Sequence, residues 1–323
     1  MLNEERMAHV AKRVVEQVLT LRPGETVSII RDSEDANPFA AFLSEAVLGA
    51  GAEPVSLIIA PRTVGGQELP EPVAGALIRS SALINLARWV TVHNRAISAA
   101  LTAGARSCNL RNYQDGMLES PAMTTDYEVV RRNALAVDSL LEQAREVRFT
   151  TAEGSDVTMQ LCGRKGKAQT GFADQPGKFC SFPDGEATVA PLEGTTQGSI
   201  VNPYIIDKIG QVTEPLRMEI KDGWIVNVEG GKQAQQLNEI FEDFDSNARR
   251  IASQFALGMN PDCRIIPEVK EVSKKLGTLH VAMGDNISLG GTVQSGLHID
   301  YVLLNPTVWF DGKLILENEK LFL

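Results

Sequence analysis

Glu25-Thr26-Val27-Ser28-Ile29-Ile30, a helical stretch from Asn37-Pro38 to Gly49-Ala50-Gly51, and then Pro54-Val55-Ser56-Leu57-Ile58-Ile59 form a strand–helix–strand unit, and that unit decides the architecture. Two strands joined by a helical crossover return in the same direction, so they build a parallel sheet with helices on its faces. The pattern extends in both directions. Upstream, Val10, Val14, Val15, Val18 and Leu19 recur at helical spacing between Glu5 and Leu21, and Arg22-Pro23-Gly24 ends that helix. Downstream, short apolar strands near Ala82-Leu83-Ile84-Asn85 and Ala105-Arg106-Ser107-Cys108 flank a helical stretch from about Asn94 to Ala103. Residues 1–125 are therefore expected to form an open α/β domain with a parallel sheet.

The pattern changes after Tyr127. A helix from Tyr127 to Glu146, with Val130, Ala134, Val137 and Leu141 on one side, reads as a bridge into a second domain, residues 126–323. Short strands punctuated by glycine follow at Val147–Thr151, Val157–Leu161, Met218–Ile220 and Trp224–Val228, and Lys221-Asp222-Gly223 signals a tight hairpin between the last two. Helices are expected near Ala234–Phe241 and Asn247–Phe255. The fold class read from the sequence is α/β: an open parallel-sheet domain, then a strand-rich α+β domain.

The chain has 323 residues, 43% of them hydrophobic and 22% charged, enough for two domains with separate cores. A formal net charge of −10 argues against nucleic acid or an anionic membrane as partner, because both select clustered Lys and Arg. No apolar run approaches the roughly 20 residues that span a bilayer, and Met1-Leu2-Asn3-Glu4-Glu5-Arg6 lacks a signal-peptide core, so the expected location is cytoplasmic. Cys108, Cys162, Cys180 and Cys263 show no CxxC pairing and read as reduced, structural residues. Gly163-Arg164-Lys165-Gly166-Lys167 lacks P-loop spacing, and Ser181 and Ser295 lack a GxSxG context.

Two of the four histidines are close together in the last fifty residues, His280 in Leu279-His280-Val281-Ala282-Met283 and His298 in Gly296-Leu297-His298-Ile299-Asp300. A strand's period of two puts His298 and Asp300 on one face, an arrangement suited to metal ligation. Duller readings compete: a surface His–Asp pair, a buried hydrogen-bonded His280, and a turn carboxylate at Glu186 after Asp184-Gly185. His93, in Val92-His93-Asn94-Arg95, adjoins a possible helix cap at Asn94, and His9 sits on the first amphipathic helix.

Phe182-Pro183-Asp184-Gly185-Glu186-Ala187, Ala190-Pro191-Leu192-Glu193-Gly194, Ala256-Leu257-Gly258-Met259-Asn260-Pro261 and the histidine block ending in Val308-Trp309-Phe310-Asp311-Gly312 resemble, in that order, the thermophilic-type metallo-aminopeptidases. That group also has an iron-dependent relative, 2,5-dihydroxypyridine 5,6-dioxygenase. The resemblance implies an N-terminal α/β domain, a C-terminal metal domain and a homo-oligomer. It places Glu186, His280, His298 and Asp300 at metal-ligand positions, and a first-domain histidine, matched by His93, facing the cleft. Two departures stand out: a further ligand glutamate is replaced by Gln254, and an expected tyrosine falls near Ile287. Because two cations need several bridging anionic oxygens, the loss of a glutamate favours a single ion.

Two imidazoles and a carboxylate suit one divalent ion, Zn, Mn, Co or Fe(II). The first expectation is a metal-dependent, aminopeptidase-like hydrolase of a small peptide or amide, with Glu186 completing the shell or taking a proton from bound water. The alternative is an Fe(II)-dependent ring-cleaving dioxygenase acting on a hydroxylated pyridine or similar ring, with His93 handling protons. A third reading is a non-catalytic ligand-binding relative.

Overall fold

The first helix begins where Asn3 accepts a hydrogen bond from the Glu5 amide and runs Glu4–Arg13, with Glu4 and Glu5 in its first turn and Lys12 and Arg13 in its last, as the helix dipole favours. It continues as a π turn, Val14–Val18, and buries Val10, Ala11, Val14, Val15 and Val18. The computed structural model describes residues 3–36, 38–62, 67–90, 94–110, 113 and 116–323, except the side chain of Ala252. Its chain separates into two compact units, Met1–Tyr127 with Gly171–Asp184, and Glu128–Thr170 with Gly185–Leu323.

In the first unit the expected strands form at Thr26–Asp32, Glu53–Ile59, Ala82–Asn85 and Arg106–Asn109, with helices at Phe39–Gly49, Glu71–Leu77 and Arg95–Thr102. The strands pair in parallel in the order Glu53–Ile59, Thr26–Asp32, Ala82–Asn85, Arg106–Asn109, Phe179–Ser181. The last strand comes from the later segment, a return that local periodicity does not disclose. Ala82–Asn85 and Arg106–Asn109 are buried at every position, as expected for strands covered on both faces.

The helix Tyr127–Gln143 leads from Tyr127 into the second unit, which contains, among the described residues, two antiparallel sheets. One runs Trp224–Gly230, Leu216–Lys221, Gln197–Val201, Asp156–Gln160, Glu146–Thr150, Thr307–Phe310, Lys313–Glu317, Lys320–Leu321. The other runs Gly210–Gln211, Ile205–Ile206, His298–Leu304, Thr278–Gly284, Ile251–Gly258, Glu186–Val189, Lys167–Gln169. They pack face to face: Phe255 of the second sheet meets Phe149 and Phe310 of the first, at ring centroids 6.4 and 6.3 Å apart. The hairpin expected at Lys221–Gly223 is present, with Asp222 and Gly223 both at positive φ, as a primed two-residue turn requires.

The helix expected over Asn247–Phe255 is not formed. A short 3-10 turn, Ser246–Arg249, capped by the Asp245 side chain, gives way to the strand Ile251–Gly258. That strand is central, and its register shifts between Ile251 and Gln254, so period-two alternation is interrupted in the stretch read as helix. The helix expected near Ala234–Phe241 is longer, Lys232–Asp243. No helix of the described residues is long and apolar enough to cross a membrane.

Candidate active site

The second sheet of the C-terminal unit sorts its residues by parity. Gln169 lies opposite Glu186, Glu186 opposite Gly258, Ala256 opposite His280, Ala282 opposite Asp300, and Gly284 opposite His298. Opposed residues of an antiparallel ladder point to the same side, as do alternate residues of one strand. Glu186, Gln254, His280, His298 and Asp300 therefore share one face. The intervening residues, among them Val189, Phe255, Leu257, Val281, Ile299 and Tyr301, are buried on the other face. A polar face and an apolar face on one sheet are what brings residues from four separate segments together.

His298 and Asp300, two apart on one strand, place Nε2 and Oδ1 3.4 Å apart. The His298 Nδ1–H donates to the carbonyl of Asp285 over 2.8 Å, which fixes the ring with Nε2 turned toward Asp300. Metal-binding histidines commonly have their second nitrogen held in this way. His280 is buried, with Nε2 3.0 Å from Gln254 Nε2 and 3.5 Å from Glu186 Oε2. Glu186 is buried too, and both its oxygens are engaged: Gln169 Nε2 donates to Oε1 and the Lys274 ammonium pairs with Oε2.

Charge follows from this geometry. Burial pushes the His280 pKa down, so the ring is held neutral, although the nearby Glu186 and Asp300 oppose the shift. Burial also works against charge on His298, but the Asp300 carboxylate and the Asp285 carbonyl outweigh it and raise its pKa to about 9. For Asp300, burial alone would raise the carboxyl, yet His298, His280 and Lys274 together hold it well below the ordinary carboxylate range.

Does the donor set fit a metal ion? His280 Nδ1 is a buried polar atom with no hydrogen-bond partner, which is costly unless another ligand satisfies it, and Asp300 Oδ1 has only the 3.4 Å pairing with His298. Two ligands, each about 2.1 Å from one ion at octahedral or tetrahedral angles, lie about 3.0 to 3.4 Å apart, the spacing seen for His298 and Asp300. Among the described residues, no three His, Cys, Asp or Glu side chains close around a single point. The side chains fit an ion in chemistry and in placement on one face, with His298 and Asp300 already paired.

Glu186, His280, His298 and Asp300, the four residues singled out in the sequence, share a face, and Gln254, which stands where a ligand glutamate was expected, lies beside His280. His93 lies outside the described residues. Asn94 occupies the N-cap position of Arg95–Thr102 without a side-chain cap bond, donating instead to the Gln67 carbonyl over 2.7 Å. Ile287, where a tyrosine was expected, is half exposed on a short 3-10 turn. Lys274 was missed. Nothing distinguishes it in sequence from Lys270 or Lys275, and only the crossing of its backbone over Gly258 brings it to this face: a Cβ on Gly258 would lie 2.1 Å from the Lys275 carbonyl oxygen and 2.8 Å from the Lys274 carbonyl carbon.

The fold is a mixed α/β one shared with solved structures of the aminopeptidase-like kind. The wild-type AmpT from Thermus thermophilus superposes with a TM-score of 0.71 at 15% identity, over 99% of this chain and 100% of that one. The 2,5-dihydroxypyridine dioxygenase from Pseudomonas putida KT2440 superposes with a TM-score of 0.85 at 17% identity, over 100% of this chain and 98% of that one. A family model described as NicX, 2,5-dihydroxypyridine 5,6-dioxygenase, matches residues 6–322, and the chain belongs to that family. A curated relative, the 2,5-dihydroxypyridine 5,6-dioxygenase of Pseudomonas putida (strain KT2440), is 25% identical over 197 residues, 57% of this chain and 56% of that protein. The aligned part thus spans little more than half the length of that relative. These matches support the dioxygenase alternative better than the hydrolase expectation, whose remaining support is a shared fold.

Proposed function

We propose that the protein is a metal-dependent dioxygenase that opens a hydroxylated pyridine or closely similar ring, using one ferrous ion held by His280, His298 and Asp300. The family match over residues 6–322 is the observation on which this reading rests. It is supported by the donor set, since two imidazoles and one carboxylate on one face leave coordination positions open, the pattern of non-haem Fe(II) oxygenases. When bound, the ferrous ion supplies the redox chemistry by which dioxygen reacts with an electron-rich ring.

The chain's own side chains do the rest. The Asp285 carbonyl orients His298, and burial keeps His280 neutral, so the latter presents a lone pair and needs to lose no proton before binding an ion. Asp300 supplies the negative charge, held ionised by its neighbours. Glu186, expected as a fourth ligand or base, is assigned a charge-balancing role here, because Lys274 and Gln169 occupy its oxygens.

The test uses protein purified without oxygen and loaded with Fe(II). With 2,5-dihydroxypyridine it should consume one dioxygen per ring lost, and His298→Ala should abolish both turnover and stoichiometric iron. Metal-dependent cleavage of aminoacyl anilides without oxygen uptake would overturn the oxygenase reading, and full iron retention in His298→Ala would overturn the ligand assignment.

A further inference from the structure

The face that holds two imidazoles and two carboxylates also contains a lysine ammonium that belongs to the chain. Lys274 has a side chain only 12% exposed and Glu186 one only 1% exposed, and their ion pair is joined on the other carboxylate oxygen by Gln169. Two features fix the ammonium there. The Gly258 position, opposite Glu186 in register, has no side chain, so the backbone of Lys274 and Lys275 can lie across it. The crossing is then pinned on both sides: the Asn260 amide donates to the Lys274 carbonyl over 2.8 Å, and the Leu276 amide donates to the Asn260 carbonyl over 2.8 Å.

A buried carboxylate requires a counter-charge, and a lysine and a metal ion compete for that role. Glu186 Oε2 is 3.5 Å from His280 Nε2, so without the ammonium a free carboxylate would adjoin the ion held by His280, His298 and Asp300 and would be open to a second one. We infer that Lys274 is a built-in counter-cation that withholds Glu186 from metal coordination and so limits this face to one divalent ion. The inference rests on the one-ion reading given above. Lys274 is a positioning residue in this scheme: it sets how many ions bind and which ligands they use.

The experiment is a titration of the metal-free full-length protein with Mn²⁺, counting bound ions by the loss of the free-ion spin signal. The unaltered protein should bind one equivalent, Lys274→Met two, and Lys274→Arg one. The double variant Glu186→Gln/Lys274→Met removes both charges together, avoids an unpaired buried ion, and should bind one equivalent with affinity within about threefold of the unaltered protein. One equivalent in Lys274→Met would overturn the inference. So would a drop of about tenfold or more in the affinity of the double variant, the scale expected if Glu186 were itself a ligand, and this result stands even if Lys274→Met does not fold. If the unaltered protein binds two ions, or His298→Ala keeps its ion, it is the one-ion reading that fails instead.

Discussion

Glu193→Ala should loosen the loop that orients His298 without touching any proposed ligand. Glu193 pairs with Arg164, and its Oε1 accepts from Asn286 Nδ2 at 3.0 Å and from the Thr292 amide at 2.8 Å. Arg164 also donates to the Gly290 carbonyl over 2.5 Å, while the Asn286 side chain accepts from the Val293 amide at 2.8 Å. These contacts hold the segment between the two histidine strands, and residue 285 of that segment supplies the carbonyl that fixes the His298 ring. The two partners are only 14% and 19% exposed, so the pair is largely shielded from solvent. Hydrogen bonds to a charged group contribute about 1.5 to 3 kcal/mol each. Allowing for partial rescue by water, the loop should lose about 3 kcal/mol of local stability, about a hundredfold in opening.

Hydrogen exchange at the Thr292 and Val293 amides reads that loss directly. Because the ring of His298 loses its orientation, ion affinity should fall by about 10- to 100-fold, the range typical of residues that support a metal ligand. The effect has a defined pH sign. Burial opposes ionisation of Glu193, but the Thr292 amide, Asn286 and Arg164 hold its pKa below the ordinary value. The contribution is therefore fully present above the unfolded carboxylate pKa and lost as pH falls through the lower folded one, so the variant and the unaltered protein should converge in acid. Unchanged exchange at both amides, together with unchanged ion affinity, would refute the clamp.

Two other outcomes follow from the same face. In the ion-free protein His298 is protonated up to a pKa of about 9, so ion uptake displaces a proton, and apparent affinity should rise about tenfold per pH unit from near neutrality to that value; a flat profile in a calorimetric titration would mean another group supplies the proton. Gly258→Ala should force the Lys274–Lys275 crossing away, because its Cβ would meet backbone atoms that cannot rotate aside. A destabilisation of about 2 kcal/mol or more is expected in denaturant unfolding, with altered ion stoichiometry, and wild-type values for both would show the crossing to be dispensable.

The strand–helix–strand unit at Glu25–Ile59 was legible because its crossover length and apolar runs leave one topology, and the hairpin at Asp222-Gly223 because its turn demands positive φ at both residues. His298 and Asp300 were legible as a pair because two residues of one strand share a face by local geometry alone. Within the stretch Asn247–Phe255, read as helix, Ile251–Phe255 is strand, and the register shift between Ile251 and Gln254 interrupts the two-residue period that would have shown it. The return of Phe179–Ser181 to the parallel sheet, the meeting of Glu186 with His280, and the arrival of Lys274 over Gly258 are contacts between residues distant in the chain. Local periodicity determines which way a side chain faces relative to its neighbours along one element. Which elements then lie side by side, and hence which charges must neutralise one another, was decided only when the sheets were assembled in three dimensions.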